Sequence, residues 1–193
     1  MNFVDSNTDP WETVETGAEP GADVRAEADA ARVAGPAPAP HRLLTLDQWK
    51  AVRATWPAAL PVGVMVDNTV DVGELAVDLS RLTLVVLQFP KWVDGRAYSQ
   101  ARLLRARHRY AGEIRATGEV LADMLPLLQR TGFDAVLLRG DQSVATARRA
   151  LGFFADGHYQ GDVVEPRPLF LRERRPEDAR VDARESATAP APA

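Results

Sequence analysis

The sequence predicts an α/β protein of four βα units, forming a small parallel sheet flanked by helices. Three observations carry this. Strand-like runs begin near residues 62, 82, 112 and 133, and each is followed by a helix-like segment after a short connection. That spacing is the pattern of right-handed βα repeats. LTLVVL (82–87) is a continuous apolar run, as in strands covered on both faces. Two architectures fit, an open four-stranded sheet and half of a (βα)8 barrel. The open sheet is preferred, because a half barrel leaves unpaired edges.

Residues 1–40 read as a disordered acidic leader. They hold eight acids against two arginines, a net −6, and end in the extended linker GPAPAP at 35–40. Phe3, Val4 and Trp11 are the exceptions; they either dock on the domain as a short strand or hook, or belong to a mobile tail. Residues 41–171 form the single α/β domain, and 172–193, ending TAPAPA, form a second disordered tail.

The first helix runs from Thr45 to Trp56. Thr45 or Asp47 caps it, and Leu46, Trp49, Val52 and Trp56 share one face, a stripe that covers a core. PVGVMVD (61–67) is a strand, and 72–80 a short helix with Leu75 and Leu79 inward. LTLVVLQF (82–89) is the second strand and Asp94–Arg109 the long helix. GEIRATG (112–118) is the third strand, followed by a helix over 120–130. Pro126 interrupts that helix, and a proline in a helix interior costs about 3 kcal/mol, so a kink or a late start is expected. FDAVLLRG (133–140) is the fourth strand, and a helix from about Ser143 to Ala155 buries Val144, Ala147, Leu151 and Phe154.

Composition narrows the chemistry. The chain has 193 residues, 46% hydrophobic and 26% charged, ordinary globular values. No apolar run approaches the roughly 18 residues of a membrane span, and MNFVDSNTDPWETVE lacks the apolar core of a signal peptide. A cytoplasmic location and no membrane partner follow as expectations. Cysteine is absent, which removes disulfides, thiolate ligands and thiol nucleophiles from this chain. His41, His108 and His158 show no paired spacing, so no metal site is assigned. The net charge of −4 and the lack of a basic stripe speak against nucleic acid. There is no GxGxxG after the first strand, no GxxxxGK[ST] and no GxSxG, so no cofactor is assigned.

In a parallel sheet the carboxyl ends of the strands share one edge, where α/β proteins hold their ligands. That edge collects Lys91, Arg96 and Arg139 with Asp67, Asp94, Glu119 and Asp141. QFPKWVDGRAYS (88–99) is the loop the chain is organised around. Asp94 is expected to cap the following helix, with Gly95 allowing close approach. Lys91, Asp94, Arg96, Tyr98, Ser99 and Arg139 make a candidate site for a small anion, helped by the helix N-terminus. The plainer readings are a simple cap for Asp94, solvated charge for Lys91 and Arg96, and packing for Tyr98. Arg102, Arg105 and Arg109 fall on one helical face, either a partner-docking surface or a solvated face. Arg115, mid-strand, is expected to pair with Asp141 or Glu119.

FPKWVDGRAYSQARLLR, YAGEIRATGEVLADML and TGFDAVLLRGDQS together resemble the domain of unknown function 934 family of bacterial proteins, in order and over about residues 60–160. The matching positions include Phe89, Pro90, Lys91, Asp94, Gly95, Arg96, Tyr98, Ser99, Arg102, Arg105, Arg115, Gly118, Arg139 and Asp141. Ala97, Glu119, Met124 and Thr131 depart from its usual glycine, aspartate, glutamine and cysteine, and Thr131 argues against thiol chemistry. The resemblance implies a place beside assimilatory sulfite reductase, in sulfate assimilation and cysteine biosynthesis, where such proteins are often described as oxidoreductases. It brings no catalytic residues with it. Three functions are therefore carried forward: an accessory protein of sulfite reduction with sulfite reductase as partner, an independent enzyme on a small anion, and a docking or oligomerisation module using its Arg-rich helix.

Overall fold

The computed structural model describes residues 1–14, 35–153 and Val163. Its strands are β1 (Asn2–Phe3), β2 (Glu12–Thr13), β3 (Arg42–Thr45), β4 (Val62–Val66), β5 (Leu84–Phe89), β6 (Glu113–Gly118) and β7 (Ala135–Val136). They form one sheet in the order β1-β7-β6-β5-β4-β3-β2, every neighbouring pair parallel. The helices are α1 (Leu46–Val52), α2 (Arg96–Ala106), α3 (Leu125–Thr131) and α4 (Val144–Gly152), with 3₁₀ turns at Val72–Leu75 and Ala122–Met124.

From β2 to β7 the strand order follows the chain order, so each crossover steps the same way and the helices stay on one face. A parallel sheet wound in that single sense curls. The molecule is a half barrel, the second of the two architectures the repeats allowed, and the preferred open four-stranded sheet gives way to it. Alternation along β5 shows both faces: Val85, Leu87 and Phe89 join the helix-side core with Trp49, Leu104, Leu125 and Ala147. Leu84 and Val86 face the concave side with Leu43, Met65 and Trp11.

The edges that argued against a half barrel are covered by the chain's own start. β1 lies against β7, with Asn2 N–H donating to the Asp134 carbonyl at 2.7 Å and Val4 N–H to Val136 at 2.9 Å. β2 lies against β3 at the other end of the sheet, through Glu12 N–H to His41 (3.0 Å) and Val14 N–H to Leu43 (3.1 Å). Residues 4–11 join these two edges as a strap. Trp11 packs over Gly63, where an added Cβ would stand 3.1 Å from its ring. Asp9 pairs with Arg115, whose side chain is 8% exposed and also reaches Glu113 at 2.9 Å. Arg115 thus turns to the strap rather than to Asp141 or Glu119. The expected leader over 1–40 is held in the sheet at its first 14 residues; residues 15–34 and the tail over 172–193 lie outside the described residues.

Local signals explain the helices. Thr45 caps α1 in a reciprocal box: its hydroxyl accepts from Gln48 N–H (3.2 Å) and Gln48 Oε1 accepts from Thr45 N–H (2.9 Å), worth about 1 kcal/mol. The helix expected from Thr45 to Trp56 ends at Val52; Leu46, Trp49 and Val52 are buried on its face, and Trp56 is buried from the turn that follows. Pro126 sits in the first turn of α3, where its missing N–H costs nothing; the late start expected there is what forms. The helix expected over 72–80 shortens to one 3₁₀ turn capped by Asp71, although Leu75 and Leu79 are buried. In α4, Ala147 is buried but Val144 is 41% exposed, and Phe154 lies outside the described residues.

Candidate functional site

The strand tips do share one rim, and β5 and β7 are separated there by β6 alone. At about 4.8 Å per strand their ends stand roughly 10 Å apart, so the loops carrying Lys91 and Arg139 are near neighbours. The rim nevertheless divides into two clusters, each closed on itself.

The first gathers at the tips of β4 and β5. Gly95, not Asp94, occupies the cap position of α2, with no side-chain cap bond. Asp94 instead receives the Arg96 fork, Nη2 to Oδ2 at 2.6 Å and Nε to Oδ1 at 3.0 Å, together with Arg96 N–H at 3.2 Å. That guanidinium holds the Asp94 carboxyl well below the usual carboxylate range, and Asp94 in turn raises Arg96. Asp67 accepts Thr69 Oγ1 (2.6 Å) and Thr69 N–H (2.8 Å), which lowers its pKa. Asn68 is 4% exposed. It stands close enough to Asp94 to help keep it ionised, although its amide nitrogen lacks a partner in hydrogen-bond geometry.

The second cluster lies at the tips of β6 and β7. Arg139 makes 2.7 Å contacts to both oxygens of Asp141 and to Glu119. Its own pKa is raised, and with Gln142 it draws Asp141 down to about 2. Gly118 makes this corner possible. Its φ is +95°, and an added Cβ would meet the Phe89 carbonyl oxygen at 2.4 Å; that oxygen accepts Glu119 N–H at 2.8 Å. A cleft of ≈250 Å³ lies on the β1–β7 side, lined in part by Phe3, Asp5, Ser6, Arg139 and Gln142, away from Lys91.

The predicted residues are therefore on one rim but not one pocket. Lys91 is exposed, and of the three rim cations it alone has no ion pair among the described residues. Ser99 is exposed on α2. Tyr98 is turned away from the tips into the helix layer, edge-on to Phe89 at 5.1 Å and near Phe133 at 6.5 Å. Burial, with the Asp123 charge, pushes its hydroxyl up to about 12. It packs, as its plainer reading held.

A family model described as bacterial protein of unknown function, DUF934, matches residues 63–170, more than half the chain. The chain belongs to the DUF934 family. No curated protein matches it. The DUF934 match begins inside β4, so the strap, β2, β3 and α1 lie outside it.

Within the DUF934 region the proposed arginine face breaks up. The helix stops at Ala106, and Arg109 follows in a left-handed turn with φ +55°, so it cannot extend a face begun at Arg102. Arg105 turns inward. It donates to the carbonyls of Gly132 (3.0 Å), Tyr110 (2.6 Å) and Gly112 (2.8 Å) and pairs with Asp134. It ties α2 to the strands beside it. A residue the sequence reading passed over, Gln100, is 5% exposed and donates to the carbonyls of Asp67 (2.9 Å) and Val70 (2.8 Å). It fixes the β4 loop against α2. The signal was a lone amide on the stripe Ala97, Gln100, Ala101, Leu104.

Proposed function

We propose that this chain is a cytoplasmic accessory protein of assimilatory sulfite reduction, working beside the reductase that feeds cysteine biosynthesis rather than turning over a substrate of its own. The family resemblance supports the pathway. The rim supports the accessory role, and one observation carries it: Arg96 is held by Asp94, and Arg139 by Asp141 and Glu119. Groups closed on one another in this way shape loops. They do not offer a poised acid, base or anion seat, and Tyr98 is packed among phenylalanines. The sequence also supplies no thiol.

At either arginine a small anion could bind only by displacing Asp94 from Arg96 or Asp141 from Arg139, which leaves the single exposed Lys91. Three cations there face the four carboxylates Asp67, Asp94, Glu119 and Asp141, so the local field does not favour it. Anion capture is accordingly the weaker reading, and the Arg102–Arg105–Arg109 docking face weaker still, because Arg105 is engaged inside the fold.

The test is a deletion strain grown on sulfate, sulfite or sulfide as sole sulfur source. The accessory role predicts growth on sulfide and failure on both sulfate and sulfite, restored by the gene. Growth on sulfite without the gene contradicts it.

A further inference from the structure

We infer that a cleft at the opposite end of the sheet from the rim, walled by Ser80, His108 and Arg109, binds an oxyanion of sulfur or phosphorus, free or as the end group of a nucleotide. The inference stands apart from the accessory role, because it concerns what the chain binds and not where it works.

The cleft has a volume of ≈380 Å³ and lies between two segments that lead into strands, residues 76–82 before β5 and 108–112 before β6. Leu79, Leu82 and Tyr110, buried at 5–7% exposure, line its base. The Tyr110 hydroxyl donates to the Leu82 carbonyl at 3.2 Å and joins the two walls.

Which ligand fits is decided by which groups are already used. The acceptors are used. Arg105 takes the carbonyls of Tyr110 (2.6 Å) and Gly112 (2.8 Å), and Arg81 those of Arg53 (2.7 Å) and Trp56 (3.0 Å). The negative end of α2 points this way, but its carbonyls are occupied: Leu103 accepts Arg107 N–H (3.0 Å) and His108 N–H (3.1 Å), and Leu104 accepts Tyr110 N–H (3.0 Å). The carboxylates bordering the walls are used as well. Glu74 is held by Lys50, Asp78 by Arg53, Asp134 by Arg105, and Glu113 with Asp9 by Arg115.

The donors are not used. Arg107 and Arg109 are exposed and His108 is half-buried, and none of the three side chains has an ion pair or hydrogen bond among the described residues. The N–H groups of Ala111 and Gly112 also have no acceptor there. With Arg81, Arg107 and Arg109 beyond the paired groups, the surroundings keep an excess of positive charge, the reverse of the rim with its three cations and four carboxylates. Arg109 has φ +55°, a position that glycine or asparagine usually fills after a helix. A long side chain is therefore held there at a cost to stability while bonding to nothing in the fold. Its guanidinium fork can take two oxygens of an oxyanion, with His108 and the Ser80 hydroxyl beside it for the others. Such an anion displaces no partner, whereas at Arg96 or Arg139 a carboxylate must leave first.

The probes are sodium sulfate, sodium sulfite, sodium phosphate and ATP, each titrated into the full chain by calorimetry at constant low ionic strength. At least one is expected to bind with a Kd below about 1 mM. Arg109→Gly is expected to weaken that binding about tenfold or more, as for the loss of a charged hydrogen-bonding group. The same variant should raise the melting temperature, because glycine suits the left-handed turn, so lost binding cannot be ascribed to lost folding. His108→Gln is expected to weaken binding by a smaller factor. Arg149→Ala, which removes an equal charge exposed on α4, is expected to bind as the unaltered chain does. Free ions binding as tightly as ATP assign the site to the ion, and binding of ATP alone assigns it to a nucleotide; either supports the inference. No binding by any of the four probes overturns it. Unchanged affinity in Arg109→Gly also overturns it, and so does an equal loss in Arg149→Ala, the mark of a diffuse field rather than a site.

Discussion

Replacing Asp9 by asparagine tests whether the chain's start is part of the fold. Arg115 projects from the middle of β6 onto the concave face, 8% exposed, between Asp9 at 16% and Glu113 at 35%. Removing one partner of a fully buried ion pair costs about 3–5 kcal/mol. Here Glu113 remains and the asparagine oxygen can still accept, so about 2 kcal/mol is expected. For a chain of this length that corresponds to a fall of roughly 4–8 °C in melting temperature. The assay is urea denaturation with Glu12→Gln as its companion. Glu12 belongs to the same strap but is 71% exposed in its pair with Arg42, and exposed pairs are worth about 0–1 kcal/mol. A large loss for Asp9→Asn and a small one for Glu12→Gln are predicted. Equal losses, or a loss below about 0.5 kcal/mol for Asp9→Asn, refute the reasoning, because a buried arginine that ignores its partner is not buried by it.

Gly118→Ala should cost about 3 kcal/mol or more, from the positive φ and the Phe89 carbonyl contact, while Gly140→Ala, with nothing within 4 Å, should be nearly neutral; paired thermal melts check this. Arg105→Ala should lower stability by about 3 kcal/mol through its lost carbonyl and Asp134 partners, read by urea denaturation, and Arg105→Lys should recover only part of it. Tyr98→Phe should leave growth on sulfate unchanged, and its loss should remove from a spectrophotometric titration a tyrosine that ionises near 12. Because folding raises that pKa from 10.0, the neutral form is the one the fold favours, and the associated stability is full below pH 10 and declines as pH rises towards 12. Asp141 runs the other way. Its folded pKa is depressed from 3.8 to about 2, so its contribution is present above 3.8 and is lost as pH falls through that window; Asp141→Asn should flatten the acid limb of a stability–pH curve.

The middle of the chain was legible because its signals are long and periodic. β4, β5 and β6 each hold five or six residues, and Leu46, Trp49 and Val52 recur at the spacing that fixes the buried face of α1. Pro126 announced the start of α3. The edges were not legible: β1 and β2 have two residues each, too few for any period to show, while the strand expected over 133–140 is present but shortened to Ala135–Val136. RLLT of β3 runs directly into the cap of α1, and its three residues before Thr45 are too few to show a period of their own. Without the β1 and β2 contacts, nothing in the pattern could decide between an open sheet and a half barrel.

At the rim the sequence placed the cations on the correct edge but not their partners. Asp94 and Arg96, like Arg139 and Asp141, are two residues apart, a spacing that points to opposite sides of a helix but closes readily in a loop. The backbone, not the residue types, decides which applies. Arg105 was misread for a related reason. Helical spacing predicts a shared face only while the helix lasts, and this one stops before Arg109. Its true partners lie at residues 110, 112, 132 and 134, contacts made by the fold rather than by the helix.

The strap is tested most directly by cross-linking, which the absence of cysteine makes clean. β1 pairs Asn2 with Ala135, and β2 pairs Glu12 with Arg42, within the usual reach of a disulfide between neighbouring strands. A chain carrying Asn2→Cys, Ala135→Cys, Glu12→Cys and Arg42→Cys should form both the 2–135 and the 12–42 links within one monomer, identified by peptide mass spectrometry. Links found only between chains, or one edge closing without the other, would contradict a half barrel closed by its own first 14 residues.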